Sequence, residues 1–438
     1  MKIHIIGGSI TGCIAAEMLS KYFDDITIIE KDSFIPDSSK RKYVPHENHA
    51  HILLKKGMEL LEKIFPGIID ELNIKGAPYS NLGEDIDWFQ YGSWKIKYKS
   101  KYRICFSTRI LLDSVIRQRI LKNNKIKVKD NTSVEKMIVN KNKVTSLSIR
   151  ESNNTQVIFS DLVIDSSGFG SKTDKMLTDS GISKVESTII KKHLKYVSRI
   201  YKIPSNLVKE YKNKAIIIWS SNDNCNIGLL LPVENECCIV SVGSCFSQEP
   251  KPDEESYLSF IKNLPSEKIY NTVKKLEPIS DIYYFKYIGS TWKHYEKLHD
   301  FPSGLIVLGS ALCGMNPFYG QGITMSLSQI RILENNITKL KNAQNTVLIQ
   351  KKIAKSLKTP WEVSKTEDFR HQKFHKQVTI TMKFLQWYSK EFSIFANNNL
   401  FAREVQHKVA HFISSPIAIF HPKILMGMCI KKIITKRK

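Results

Sequence analysis

A chain of 438 residues, 42% hydrophobic and 25% charged, has the length for two or three domains around a large core and an ordinary globular composition. It offers no uninterrupted apolar run of roughly 18 residues, which excludes a spanning helix. The net charge of +24 comes mostly from lysines scattered along the chain, so it reads as a solvated basic surface, and no nucleic-acid module is visible. None of the eight cysteines forms a C-x-x-C pair. Their spacing matches no metal site, and free thiols in apolar runs fit a reducing, cytoplasmic setting. No N-terminal secretory signal is expected, because the first apolar run is short and is needed by the fold.

The first 32 residues organise the rest. Ile3-His4-Ile5-Ile6 reads as a strand, Gly7 to Gly12 as a tight turn, and the next stretch as a helix with small residues at Ala15 and Ala16. A second apolar strand over 26–29 ends in Glu30. A strand-turn-helix-strand unit of about 30 residues is the size of a dinucleotide-binding βαβ. Glycines allow positive φ and close approach of backbone N–H groups to a pyrophosphate, and the helix N-terminus favours negative charge. Glu30 lies where a carboxylate would accept hydrogen bonds from ribose hydroxyls. Counted from Gly7, Ser9 replaces the middle glycine of G-x-G-x-x-G.

Further along, a helix is expected over 56–72 and an aromatic-rich hairpin over 81–103, with Trp88, Phe89 and Trp94 assigned to core rather than to a substrate cage. Ser107 or Thr108 would cap a helix bearing Leu112, Val115, Ile116 and Ile120 on one face. Strands follow at 126–128, 133–139, 145–149 and 162–164, the last running into Asp165. From 194 to 287 the chain is strand-rich, with strands at 197–203, 215–219, 227–231, 237–242 and 282–287 and helices at 257–264 and 269–276. That is the composition of an inserted antiparallel sheet. A buried strand at 305–311, a loop at 313–322 and a helix at 323–339 resume the first framework. From 352 onward the chain reads as helical, interrupted at Pro360, Pro416 and Pro422.

Three stretches carry the chemistry together: the βαβ turn, the strand ending at Asp165-Ser166-Ser167-Gly168, and Gly309-Ser310-Ala311 through Asn316-Pro317-Phe318-Tyr319-Gly320-Gln321-Gly322. The last makes a second helix N-terminus suited to an anion. The set resembles the class A FAD-dependent monooxygenases, the aromatic-hydroxylase-like group, and more narrowly a bacterial branch of FAD-dependent oxidoreductases. In that branch the turn reads G-G-S-x-x-G, His49-Ala50-His51-Ile52-Leu53-Leu54 matches an H-x-H-x-L-L stretch, and Thr108-Arg109 matches an S-R-like helix start. The resemblance covers nearly the whole chain.

The resemblance implies an α/β fold: a Rossmann-like FAD-binding domain over 1–180 and 301–340, an antiparallel-sheet substrate domain over 181–300 joined by 81–103, and a helical segment over 341–438. It implies that Gly7, Gly8, Ser9, Ile10, Thr11, Gly12 and Glu30 hold the ADP half of FAD, flanked by Lys31 and Val134. Arg109 would lie near the pyrophosphate, Asp165 beside the cofactor, and Gly309, Ser310, Pro317, Gly320, Gln321 and Gly322 along the flavin. It implies NAD(P)H as a transient co-substrate, O2, and a small apolar, aromatic or isoprenoid substrate.

Two positions depart from the family. Ser310 stands where the family has an aspartate on a ribityl hydroxyl, and Phe169 where a basic residue is common. Because such enzymes activate O2 on the flavin itself, a dedicated catalytic side chain is unnecessary. His49 and His51 are the candidates for acid-base work at the substrate, against a structural role. Alternatives on the same framework are a flavin reductase or dehydrogenase, a halogenase (disfavoured, since no W-x-W-x-I-P occurs), and a non-catalytic binding protein. No acidic residue follows Glu404, and the closing stretch mixes apolar residues with lysines. It reads as a packed helix with a basic tail, or as a peripheral contact with an anionic membrane.

Overall fold

The structure, a computed structural model, describes residues 1–35, 41, 44, 46–220, 225–245, 249–341 and 345–436, the last six as backbone only. Among the described residues, five strands form a parallel sheet in the order Leu305–Val307, Leu162–Asp165, Lys2–Ile6, Asp25–Ile29, Ile126–Lys129. The first strand is central, and the strand order reverses beside it. Its carboxyl end, at Gly7, therefore opens onto the crevice where such sheets bind ligands.

The helix Ile10–Ser20 lies close against this sheet because its inner face is small. Gly12, Ala15 and Ala16 are buried, and a Cβ on Gly12 would fall 1.9 Å from the Gly7 carbonyl. A three-stranded antiparallel sheet (Thr132–Asn140, Lys143–Glu151, Asn154–Phe159) joins the same core through Met137, Val144, Leu147 and Ile149. Its third strand was not anticipated; it is almost wholly exposed and so carries no burial alternation to betray it.

A large sheet forms the second unit. Its order is Cys313–Gly314, Tyr283–Lys293, Ser187–Lys202, Cys237–Cys245, Ile227–Val233, Ala215–Trp219, Ile86–Gln90, Ser93–Trp94. All neighbours are antiparallel except Ala215–Trp219 with Ile86–Gln90, which is parallel. Helices Glu254–Lys262 and Lys268–Val273 cover one face over a separate apolar cluster including Val197, Ile216, Leu230 and Tyr257. The fold is thus a Rossmann-like α/β unit interleaved with an antiparallel sheet, followed by helices.

Three expected elements differ. The helix over 56–72 is two helices, Lys55–Ile64 and Ile68–Ile74, because Pro66 cannot continue the first and Gly67 turns at φ +75°. The strand over 305–311 stops at Val307 and turns through a short 3-10 segment, Gly309–Ala311, with Gly309 at φ +61°. Pro360 does not interrupt its helix, which runs Thr346–Asp368. That helix buries Ile349, Ile353, Leu357 and Trp361 along one stripe, and this packing outweighs one lost backbone bond. Its Gln350 accepts from Val307 N at 2.9 Å, pairing a backbone group at the buried edge of the parallel sheet. Helices Ile380–Phe395, Leu400–Ala410 and Pro422–Lys436 then pack around Tyr388, Phe392, Val405, Ile424 and Met428.

Candidate active site

One cavity of about 1250 Å³ runs from the Gly7–Thr11 turn to the large sheet. This exceeds the ~300–1,000 Å³ of a pocket for one small ligand. At the turn, Gly7 has φ +97°, and a Cβ there would stand 2.8 Å from Ser167 Cα and 2.9 Å from the Ser166 carbonyl. No side chain with a Cβ could sit at that crossing. Ser9 begins the helix but makes no side-chain cap; its hydroxyl instead accepts from Arg109 NH2 at 2.9 Å. The serine at the departed glycine position thus ties the turn to the helix Arg109–Lys122. Thr108 caps that helix by accepting from Leu111 N.

Arg109 is 8% exposed, its Nε has no partner, and no carboxylate among the described residues forms an ion pair with it. Burial lowers its pKa, only partly offset by Asp113. A buried cation without a counterion, beside a free helix N-terminus, suits an anionic ligand. Glu30 lines the same end. Its carboxylate accepts from Gly8 N at 2.6 Å and Asp32 N at 2.9 Å, with Arg41 at 3.4 Å. A carboxylate has about four acceptor positions, so one remains for a hydroxyl.

Lys31, Val134, Ile10, Thr11, Gly309, Ser310, Pro317, Gly320, Gln321 and Gly322 also line the cavity. Gly320 takes φ +62°, and the helix Gly322–Glu334 starts without a side-chain cap. Gly8 and Gly12 lie behind the wall. Asp165 is fully buried beneath it: it accepts from Ser167 N and Oγ (2.9 and 2.6 Å) and from Ser171 Oγ at 2.5 Å. It shapes the turn Ser166–Gly168, which itself faces the cavity.

The histidines sit near Arg109. His49 is buried, with Nδ1 2.7 Å from Ser198 Oγ and its ring against Tyr196. His51 lines the cavity, and its Nδ1 donates to the His49 carbonyl at 2.8 Å. The carbonyl can only accept, so neutral His51 carries its lone pair on Nε2. His46, which the sequence did not single out, lines the cavity 5.7 Å from the His51 ring. Burial pushes all three down to about 3; Arg109 adds to this at His46 and His51. They are neutral at pH 7.

Trp88, Phe89 and Trp94 do not line the cavity. Phe89 packs edge-on against Trp94, and Trp88 lies under Arg403. Phe169 packs on the opposite side of the site, where a Cβ on Gly314 would meet its ring at 2.0 Å. The apolar residue at this position thus presses on the backbone of the Cys313–Gly322 loop. The loop is also held by Asp368, which accepts from Asn316 Nδ2 (2.9 Å), Tyr319 OH (2.7 Å) and Lys192 Nζ (2.6 Å).

Residues 1–351 match the FAD binding domain family. The chain belongs to that family. It is therefore an FAD-binding protein of the oxidoreductase kind, as the motifs imply. Protein Rv3254 of Mycobacterium tuberculosis is 23% identical over 337 residues, 74% of this chain and 70% of its own length. A flavoprotein/dehydrogenase from Cytophaga hutchinsonii superimposes with TM-score 0.68 at 13% identity, over 100% of this chain and 99% of that one. The flavin-dependent brominase Bmp2 gives 0.67 at 14%, over 94% and 93%. The p-nitrophenol 4-monooxygenase PnpA from Pseudomonas putida gives 0.60 at 13%, over 98% of each. At such identities the likeness establishes a shared fold. The residues present fit FAD: a turn whose Gly7 leaves no room for a Cβ, an uncapped helix start, a buried arginine with no ion-pair partner among the described residues, and a cavity larger than one small ligand requires.

Proposed function

We propose that this protein is an FAD-dependent monooxygenase acting on a small apolar, aromatic or isoprenoid molecule. The observation that supports it is the continuity of one cavity from the anion-suited turn at Ser9 and Arg109 to an apolar wall of Ile189, Ile227, Leu229, Val242 and Phe285. Bound FAD would supply the redox chemistry, taking electrons from NAD(P)H and delivering one atom of O2 to the substrate and the other to water.

The chain's own residues bind, orient and exclude water. Arg109, Ser9 and the start of the helix Ile10–Ser20 would neutralise the pyrophosphate, and Glu30 would hold a ribose hydroxyl. Pro317 and Gly320 to Gly322 would present backbone to the flavin, the uncapped helix start favouring negative charge there. The apolar wall keeps water from the reacting centre. Neutral His51 orients a substrate donor through Nε2; with a pKa near 3 it is too weak a base to drive proton abstraction at pH 7.

The test is an absorption spectrum of the purified protein, with and without added FAD, followed by NAD(P)H oxidation in the presence of aromatic and isoprenoid substrates. Flavin bands with substrate-stimulated oxidation and an oxygenated product support the reading. Oxidation that yields only hydrogen peroxide would replace it by a reductase, and no flavin binding by a non-catalytic protein.

A further inference from the structure

We propose that Cys225 and Cys245 form a reversible, peroxide-responsive disulfide at the edge of the cavity. Strands Ile227–Val233 and Cys237–Cys245 pair Ile227 with Gly243 and Gly228 with Val242. Cys245 closes the second strand, and Cys225, two residues before the first, turns its backbone to φ +44° and packs its side chain into the same cluster. The two thiols are already hydrogen-bonded to each other.

Their surroundings suit a sensor. Both belong to the cluster of Tyr196, Phe285, Tyr287 and Phe318, all four of which line the cavity. The Lys192 ammonium faces the pair and opposes the rise that burial and the neighbouring thiol impose on Cys245. Cys225 is half-buried and Cys245 buried. Hydrogen peroxide therefore reaches Cys225 first: the sulfur attacks one peroxide oxygen, the O–O bond breaks, and the thiol proton leaves with the other oxygen as water, giving a sulfenic acid. The Cys245 thiol then attacks that sulfur, forming the S–S bond and releasing a second water. Two thiols lose two electrons, and one peroxide is reduced.

The proposal rests on the contact between the two thiols and not on the monooxygenase reading, so apoprotein tests it alone. Full-length protein is treated with hydrogen peroxide, unfolded, alkylated and mapped without reductant. The expected result is a linked peptide joining Cys225 to Cys245 and an intact mass lower by two hydrogens, both reversed by dithiothreitol and absent in Cys225→Ser. The exposed Cys429 serves as the internal control. Oxidation at Cys429 with Cys225 and Cys245 still open to alkylation overturns the proposal, as does irreversible sulfinate at Cys225.

A separate observation carries a second proposal. On the helix Ile380–Phe395, Ile380, Phe384 and Trp387 are exposed at 87%, 50% and 49%, with exposed Lys383 and Lys390 on the same stripe. Exposed Lys423, Met426 and Ile430 repeat the pattern on the helix Pro422–Lys436. The helices cross closely, a Cβ on Gly427 falling 2.6 Å from the Phe395 ring. No described helix is long and apolar enough to cross a membrane. The geometry points to docking of this face on an anionic bilayer surface, the apolar side chains entering the headgroup boundary and the lysines meeting phosphates. The side chains of Lys431, Lys432 and Lys436, and residues 437 and 438, lie outside the described residues. The full chain should co-sediment with vesicles of phosphatidylcholine and phosphatidylglycerol but not of phosphatidylcholine alone. Replacing Ile380, Phe384 and Trp387 by serine should weaken binding more than ~10-fold. No binding to anionic vesicles overturns the proposal, as does a dimer of the parent chain that this variant converts to monomer.

Discussion

Two of the buried cations, Lys192 and Arg109, are treated oppositely. Lys192 has Asp368 at 2.6 Å; burial works against its charge, but the carboxylate outweighs burial and its pKa is raised. Arg109 has a serine hydroxyl and, among the described residues, no carboxylate in an ion pair with it, and its pKa is lowered. The paired cation is scaffold: its acid also gathers Asn316 and Tyr319 and so fixes the Cys313–Gly322 loop to the helix Thr346–Asp368. The unpaired one carries a desolvation cost that nearby acids offset only in part, and an anionic ligand would supply the rest. A buried ion's function is thus read from whether the chain supplies its counterion.

The largest effect should come from breaking the paired site. Asp368→Ala leaves Lys192 buried and uncompensated and frees two loop side chains. A loss of ~3–5 kcal/mol is expected, measured as the shift of the urea unfolding midpoint of apoprotein. A loss under about 1 kcal/mol would mean that the pair is not scaffold. Arg109→Leu should do the reverse. Apoprotein stability should hold or rise, while FAD affinity should fall by ~1.5–3 kcal/mol, about 10- to 150-fold, read by flavin fluorescence titration. A variant destabilised in apoprotein but unchanged in FAD affinity would erase the contrast.

Much of this was legible beforehand for a physical reason. The strands around Ile3, Ile26, Val163 and Ile306 are buried on both faces, so they appear as short apolar runs between turn residues. Ser9, Arg109 and the loop from Gly309 to Gly322 are local motifs. What the chain order hides is partnership over distance. Lys192 and Asp368 are 176 residues apart, and neither has a local signature. Phe169 against Gly314 joins two turns that each looked like a departure or a spacer. The stretch 154–159 lacks alternation because both faces meet water. Pro360 looked like a break because local propensity was read without the packing that overrides it.

The histidines sharpen the comparison with pH. His46, His49 and His51 at the cavity and His411 by the C-terminal helices are pushed down to about 3 or 4, and burial lowers His407 as well. The unfolded chain takes up protons below about 6.5, while the folded chain resists until pH 3–4. The unfolded state therefore binds more protons across that window, and stability falls as pH drops from 6.5 towards 4. Each such group contributes up to ~1.4 kcal/mol per pH unit. Unfolding midpoints of apoprotein at pH 7, 6 and 5 check this. His49→Gln should flatten the slope by one group's share, and an unchanged slope would mean that His49 already titrates near 6.5 in the folded chain.

The smallest expected change returns to the unpaired end. Ser310 lines the cavity where the resemblance implies an aspartate. A hydrogen bond to a charged group is worth ~1.5–3 kcal/mol and a neutral one about 1, so Ser310→Asp should tighten FAD by ~1 kcal/mol, roughly fivefold. Arg109 makes the sign of this change informative. If the new carboxylate holds a flavin hydroxyl, affinity rises in both the parent and the Arg109→Leu background, by the same factor. If it turns instead to pair with Arg109, the gain vanishes or reverses in the parent and appears only once Arg109 is gone. The double-mutant cycle thus separates a ligand contact from a counterion, the same distinction that sets Arg109 apart from Lys192.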